Sequence, residues 1–276
     1  MQAFPTSFLL FFYQVAVGGL FAIAATPFHE MERGFYKSTG SVLFVIALLG
    51  LWGKGDLYRT LLYNGITLGT GTEMALHLLF IIFFALYLFS LWGERVAFRA
   101  RTFSLSLITG LIGLIQSSLG FHQAPFLSVE TLLYPVGFVL SALLLGGVTV
   151  GMLIGHWYLI DTGQSIDPFV RVFRFFVTFL ILQTIFLVIA PPLFYLLGSA
   201  ETVSNLERLW RDHFVLLSAR VLVAQAGPLV LSALIWQTLK IPHTMAATGL
   251  FYIALLGVFV GEILGRQILS LTGLPL

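Results

Sequence analysis

The stretch HTMAATGLFYIALLGVFVGEILGRQILS (residues 243–270) is mostly apolar, yet it carries Glu262 and Arg266 four residues apart. A run of about 18 or more such residues is long enough to cross a membrane as a helix. A charged side chain at the centre of such a helix costs roughly 2.5–3.5 kcal/mol on insertion scales. We therefore expect Glu262 and Arg266 to share one helix face and to point into a helix bundle rather than at lipid.

The composition of the whole chain indicates an integral membrane protein. Of its 276 residues, 58% are hydrophobic and 9% are charged, and the mean hydropathy is +0.98. About a quarter of the residues of a soluble domain are charged, so a soluble fold of this length could not bury so much apolar surface. The net charge is +2, and no run of Lys or Arg offers a surface for phosphates, which argues against a nucleic-acid partner.

The absence of cysteine narrows the chemistry that the chain can carry. Zero cysteines exclude disulfides, thiolate-ligated iron–sulfur clusters and covalent haem attachment within the chain. If the protein handles electrons, we expect their carrier to be a bound quinone, a histidine-ligated haem or a partner subunit.

Eight apolar segments have about the length needed to span a membrane. They lie near residues 7–27, 38–53, 73–93, 102–121, 131–160, 169–198, 213–239 and 243–270. Because these runs are continuous rather than alternating, strands are not expected. The sequence predicts an all-α integral membrane protein, a single bundle of eight transmembrane helices over residues 1–276. The segment GLWGKGDLYRTLLYN (50–64) could continue the second span as a helix along the interface.

The charges that flank the spans predict the orientation, because Lys and Arg concentrate on the cytoplasmic side. An even number of spans puts both termini at one end of the bundle. That end carries Lys54, Arg59, Arg208 and Arg211, and the opposite end carries Arg33, Lys37, Arg95, Arg99, Arg101, Arg171, Arg174 and Lys240. We therefore expect both termini outside, together with loops 54–72, 122–130 and 199–212.

Polar residues within the predicted spans collect at one level, in the outer half of the bundle. They are Gln14, Glu73, His77, Gln116, Ser117, Ser118, Arg220, Glu262 and Arg266. Two interpretations remain open. The charged residues form interhelical pairs, such as Arg220 with Glu262, that only lock the bundle, or they line a ligand site or pathway. Ionisable groups within spans usually mark pathways, and convergence from five helices favours a site.

The six histidines raise the possibility of haem. His77, His122 and His213 fall on the outer side, and His29, His156 and His243 on the inner side. A b-type haem needs two axial histidines at similar depth, which His77 with His213, or His156 with His243, could supply. Five of the six lie at helix ends or in loops, where a histidine is ordinary, so the prediction is that the chain holds neither haem nor metal.

Proline and glycine residues predict packing features rather than a site. Pro191–Pro192 should kink the sixth span near its outer end. Gly18–Gly19 and Gly146–Gly147 should let helices approach closely.

Five stretches resemble the eight-helix membrane anchor subunits of the dimethyl sulfoxide reductase and polysulfide reductase families. They are QVAVGGL (14–20), GTEMAL (71–76), PVGFVLSALLLGG (135–147), SARVLV (218–223) and GEILGRQIL (261–269). The resemblance covers nearly the whole chain in the expected order, and GEILGR is its most particular motif. These anchors often carry a His-Leu-Gly stretch followed by Pro and Arg after the second helix, whereas this sequence retains only Arg59 there.

The resemblance implies a bacterial or archaeal cytoplasmic membrane and a role in anaerobic respiration. It implies a quinol site, of menaquinone type, in the outer half of the bundle, with no haem in the anchor. It also implies an iron–sulfur subunit and a molybdopterin catalytic subunit docked on the outer face. By the same resemblance, the family's buried charged positions are taken by Glu73, Arg220, Glu262 and Arg266.

The leading functional hypothesis is a quinone-reactive anchor that is not catalytic alone. Quinol oxidation releases two electrons and two protons, so each quinone oxygen needs a hydrogen-bond partner and the protons need a titratable exit. Gln14 and His77 could hold the head group, Glu73 and Glu262 could relay protons, and Arg220 and Arg266 could orient these carboxylates. The alternatives are a b-type cytochrome anchor, or a transporter or scaffold that functions as an isolated chain.

Overall fold

The computed structural model of the chain describes residues 3–276 except residues 27, 29, 66, 122–123, 126, 161–162, 164 and 242. The described residues form eleven α-helices and one π-helical segment, with no strand. The α-helices are α1 (Ala3–Ala24), α2 (Arg33–Gly53), α3 (Gly55–Asn64), α4 (Leu68–Ser90), α5 (Val96–Leu119), α6 (Val129–Ile160), α7 (Asp167–Leu197), α8 (Ala200–Asp212), α9 (Phe214–Val221), α10 (Gly227–Lys240) and α11 (Thr244–Thr272). The π-helical segment (Leu222–Ala226) joins α9 to α10.

Within the described part of the chain, eight helical stretches are long and apolar enough to cross a membrane. Six of them are the single helices α1, α4, α5, α6, α7 and α11. The seventh combines α2 with α3, and the eighth runs from α9 through the π-helical segment to α10. The all-α membrane fold and the number of spans are therefore confirmed.

Helices α2, α4 and α5 begin at least five residues before the apolar segments that predicted them. They start at Arg33, Leu68 and Val96, and their first turns include polar or charged residues that the apolar segments left out. The start of α4 is capped by Thr67, whose side-chain oxygen accepts the backbone N–H of Thr70 at 3.3 Å. Residues 99 and 101 were expected in a loop and instead lie in the first two turns of α5.

The ends of α1 and α11 identify one end of the bundle. Ser7, near the start of α1, donates to the backbone carbonyl of Arg266, near the end of α11, at 3.2 Å. We call this end the terminal face; because the spans alternate, α2, α5 and α7 also end there. Gly273 ends α11 with φ +73°, a left-handed conformation that suits glycine.

Helices α1 and α6 lie at the centre of the bundle. In the most apolar stretch of each, 72% of the residues are buried. A Cβ atom added to Gly18 would lie 1.7 Å from the carbonyl oxygen of Ala142, and one added to Gly146 would lie 1.8 Å from the carbonyl carbon of Gly18. The predicted close contact at these glycines is therefore confirmed. Helix α7 runs through Pro191–Pro192 without a break.

Candidate functional site

The polar residues inside the bundle separate into two clusters. The Glu73 cluster consists of Tyr13, Lys54, Tyr58, Glu73, His77 and Ser117. The Glu262 cluster consists of Ser141, Gln183, Arg220, Glu262 and Arg266. Among the described residues, no hydrogen bond or ion pair joins the two clusters. The residues expected at one level therefore do not form a single network.

An ion pair between Lys54 and Glu73 forms the edge of the Glu73 cluster nearest the terminal face. Lys54 Nζ lies 2.8 Å from Glu73 Oε1. Lys54 stands between α2 and α3, and Glu73 lies in the second turn of α4. The Lys54 side chain is 5% exposed and that of Glu73 is 24% exposed. Lys54, expected as a loop charge, is thus buried, and Glu73 is the charged member that reaches the protein surface.

A hydrogen-bonded chain leads from Tyr58 to Glu73. Tyr58 OH lies 2.9 Å from His77 Nδ1, His77 Nε2 lies 3.1 Å from Ser117 Oγ, and Ser117 Oγ lies 2.7 Å from Glu73 Oε1. An ionised carboxylate only accepts, so Ser117 donates to Glu73 and accepts from His77 Nε2. His77 Nδ1 is then free to accept from Tyr58. Every donor in the chain therefore points towards Glu73.

The rest of the Glu73 cluster is packed closely around His77. The ring of Tyr13 lies 4.1 Å from the ring of His77, centroid to centroid. Gly113 of α5 makes room for both, because a Cβ there would lie 2.5 Å from Tyr13 OH. A cavity of about 10 Å³ adjoins Tyr13, Lys54 and His77. It holds about one water molecule, so a larger ligand must displace side chains or approach beside the exposed part of Glu73.

The Glu262 cluster lies wholly inside the bundle. Glu262 Oε1 lies 3.3 Å from Arg220 Nη2 and accepts from Gln183 Nε2 at 2.9 Å, while Glu262 Oε2 lies 3.5 Å from Arg266 Nη2. Gln183 Nε2 is also 3.0 Å from Ser141 Oγ. The two arginines and Glu262 are at most 3% exposed. The expected facing of Glu262 and Arg266 into the bundle is confirmed, as is the pairing of Arg220 with Glu262.

Two glycines of the GEILGR motif make this arrangement possible. Gly261 and Gly265 lie one turn apart on α11, against the span that begins with α9. A Cβ at Gly261 would lie 2.0 Å from Ala224 Cβ, and a Cβ at Gly265 would lie 1.6 Å from Arg220 Nη1. Arg220 Nη1 also donates to the carbonyl oxygen of Gly261 at 3.0 Å. The motif therefore supplies the charged pair Glu262 and Arg266, and at Gly265 it also leaves the space that Arg220 occupies.

Three of the expected residues belong to neither cluster. Gln14 is fully buried, and its Nε2 donates to the carbonyl oxygen of Phe138 at 2.9 Å. Gln116 Nε2 donates to the carbonyl oxygen of Gly69 at 3.4 Å, and Ser118 donates within its own helix. Gln14 thus ties α1 to α6 instead of facing the Glu73 cluster.

The described histidines other than His77 lie at or near the surface. His156 and His243 are exposed, and His213 is half-buried at the junction of α8 and α9. Both ring nitrogens of His77 lie within hydrogen-bonding distance of side chains, so His77 would have to leave these partners to bind iron. Residues 29 and 122, the other two histidines, lie outside the described residues. Within the described part of the chain, no group of three or more His, Cys, Asp or Glu could hold a metal ion.

Lys54 and Tyr58 belong to the Glu73 cluster, although neither was predicted there from the sequence. Counting flanking charges treats Lys54 as exposed, and Tyr58 resembles any interfacial tyrosine. A signal does exist, because Lys54 and Tyr58 are four residues apart, as Glu73 and His77 are. Each pair lies on one helix face, and the two faces meet. Gln183 has no such signal, since the residues three and four positions away from it are all apolar.

The chain matches no protein-family model, no curated protein and no solved structure. The resemblance to the reductase anchors therefore consists of the five quoted stretches.

Proposed function

We propose that the chain is a quinone-reactive membrane subunit of an oxidoreductase complex, with the quinone head group bound at the Glu73 cluster. The observation that carries the proposal is the directed hydrogen-bonded chain from Tyr58 through His77 and Ser117 to Glu73. Buried ionisable groups of this kind in a membrane span usually serve ion or proton transfer. The anchor-like stretches of sequence add independent support.

Quinol oxidation fits the direction of this chain. As the quinol gives up two electrons, each of its hydroxyl protons must pass to a base. The Tyr58 hydroxyl can accept one proton from the quinol while its own proton moves to His77 Nδ1. The Nε2 proton of His77 then passes through Ser117 to Glu73, whose carboxylate reaches the surface. The second proton follows after Glu73 has released the first, and after the His77 ring and the Ser117 hydroxyl have turned so that both again donate towards Glu73. Lys54 holds the emptied carboxylate in place.

The residues proposed to bind the quinone head group differ from those predicted from the sequence. Gln14 is bonded to the Phe138 carbonyl, so Tyr58 takes the role of head-group partner, and His77 accepts the proton behind it. Glu262 makes no contact with the Glu73 cluster, so the proton exit is Glu73 alone. The electrons leave to an iron–sulfur subunit and then to a molybdopterin subunit, both docked on the terminal face. Electrons arriving from these partners would reduce quinone at the same site.

Co-purification and quinol turnover test the proposal together. The full chain, tagged after Leu276, should purify from native membranes with larger soluble subunits. In that complex, Glu73→Gln should lower turnover of a soluble naphthoquinol by at least about 100-fold, because it removes the terminal proton acceptor. Electron transfer from an artificial dye that reduces the partner subunits directly should persist.

The matched control is Asp56→Asn, which removes an exposed carboxylate from the neighbouring helix α3 and should leave quinol turnover unchanged. An assembled Glu73→Gln complex with normal quinol turnover would contradict the assignment. Isolation of the chain without soluble partners, together with solute uptake by vesicles that contain it alone, would favour a transporter instead.

A further inference from the structure

The Glu262 cluster carries one more positive than negative charge. Arg220 and Arg266 face a single carboxylate, Glu262, and all three are buried. The charges that act on Arg266 are those of Glu262 and Arg220. Guanidinium groups stay protonated in proteins. The cluster therefore holds an uncompensated positive charge inside a membrane span, where such a charge is costly.

Several donors of the cluster have no acceptor in the described part of the protein. They are Nε of Arg220 and both Nε and Nη1 of Arg266, and each of these atoms is shielded from solvent. Buried donors are nearly always hydrogen-bonded. Two acceptors of the cluster, Gln183 Oε1 and Glu262 Oε2, also lack a hydrogen-bond partner among the described residues, but the unpartnered donors outnumber them and the net charge is positive. The cluster therefore lacks one acceptor and one negative charge, which a bound anion would supply.

The aromatic ring beside Arg266 does not satisfy these donors. The guanidinium carbon of Arg266 lies 5.0 Å from the centre of the Phe138 ring, so the ring covers a face of the guanidinium group. The N–H bonds lie in the guanidinium plane and point past the ring. Phe138 also engages Gln14 only through its backbone carbonyl. The edge of Arg266 that carries Nε thus stays available for an acceptor.

We propose that the Glu262 cluster binds a small monovalent anion of the size of chloride between Arg220 and Arg266. With the anion bound, the two positive charges of Arg220 and Arg266 would be balanced by the negative charges of Glu262 and of the anion. The anion must be small, because Arg220, Glu262 and Arg266 are all buried and their unpartnered donors are shielded from solvent. This site is separate from the Glu73 cluster, and the proposal stands whether or not quinone binds there.

Charge-changing variants should alter the anion affinity in opposite directions. Arg266→Gln leaves one guanidinium group against Glu262, so the net charge becomes zero and anion binding should be lost. Glu262→Gln leaves two guanidinium groups unopposed, so the same anion should bind at least about tenfold more tightly. A purely structural network predicts no dependence on the anion in either variant.

The experiment measures thermal unfolding of the full chain, with any subunits that co-purify, in detergent at constant ionic strength. Chloride replaces gluconate, an anion too large for the site. We expect chloride to raise the unfolding temperature of the wild type saturably, and Glu262→Gln to reach half of that effect at about one tenth of the chloride concentration. Arg211→Gln, which removes an exposed charge on α8, should keep the wild-type response.

Equal unfolding temperatures in chloride and gluconate for the wild type would overturn the proposal. So would a chloride response that Glu262→Gln or Arg266→Gln leaves unchanged. If Arg266→Gln fails to fold, the comparison of chloride with gluconate on the wild type still tests the proposal. Crystals grown in bromide should then show an anomalous peak beside Arg266 Nε, and the absence of that peak would reject the site.

Discussion

The guanidinium group of Arg220 lies directly on the backbone of Gly265, so that a Cβ at position 265 would lie 1.6 Å from Arg220 Nη1. Because Arg220 also lies 3.3 Å from Glu262, the glycine sets where this arginine meets its carboxylate. The lack of a side chain at residue 265 therefore determines the geometry of the buried ion pair between Arg220 and Glu262.

Gly265→Ala should destabilise the protein by about 3 kcal/mol, because it overpacks the site and separates Arg220 from Glu262. Urea or SDS titration of the purified protein measures the change. Gly249→Ala is the matched control: Gly249 lies on the same helix with nothing within 4 Å of its added Cβ, so stability should hold or rise slightly. Equal stabilities of the two variants would refute the packing of Arg220 on Gly265.

Lys54→Met should lower stability by about 1–3 kcal/mol, because it leaves Glu73 as a mostly buried carboxylate without its cation. The double variant Lys54→Met/Glu73→Gln should recover part of this loss, which a double-mutant cycle measures. Arg59→Met removes a cation from the exposed side of the same region and should change stability by less than about 0.5 kcal/mol. A cycle with no coupling between Lys54 and Glu73 would contradict the ion pair.

A reporter that is active only in the cytoplasm tests the orientation. Fused after Leu276, it should be silent, because the positive charges concentrate at the opposite end of the bundle. The same reporter fused after Lys240, where α10 ends at that opposite end, should be active. The reverse pattern would place the terminal face in the cytoplasm and would move the proposed docking surface with it.

Purified protein should show no reducible Soret band. His77 is committed to Tyr58 and Ser117, His156 and His243 are exposed, and His213 is half-buried at the junction of α8 and α9. A reduced-minus-oxidised absorption spectrum makes the measurement. A band that disappears in His77→Phe or His156→Phe would support the b-type cytochrome alternative.

The spans could be predicted from the sequence because the hydrocarbon core requires about 20 apolar residues for each crossing. The facing of Glu262 and Arg266 followed from the same physics, since four residues make slightly more than one helical turn. The partner of Glu73 did not follow. Whether Glu73 meets Lys54 or an arginine depends on how far each helix rotates about its axis, and that rotation is set by packing across the bundle.

Gln14 shows the same limit. Its depth in α1 agrees with that of a site residue, but the close contact of Gly18 with α6 turns α1 so that Gln14 meets the Phe138 carbonyl. The sequence predicts which face of a helix points into the bundle only where the helix carries several charged residues. In α1 and α7 a single glutamine in an apolar span leaves the rotation open.

The pairing of α1 with α6 has a consequence for the order in which the protein is built. The ribosome delivers α1 to the membrane before α6, and its partner glycine at position 146 follows only after three further spans. Until then the Gln14 amide has no Phe138 carbonyl to bond, and the surface at Gly18 faces lipid or a temporary neighbour. Assembly of the centre is therefore a late, long-range event, and α1 reaches its final surroundings only after α6 has entered the membrane.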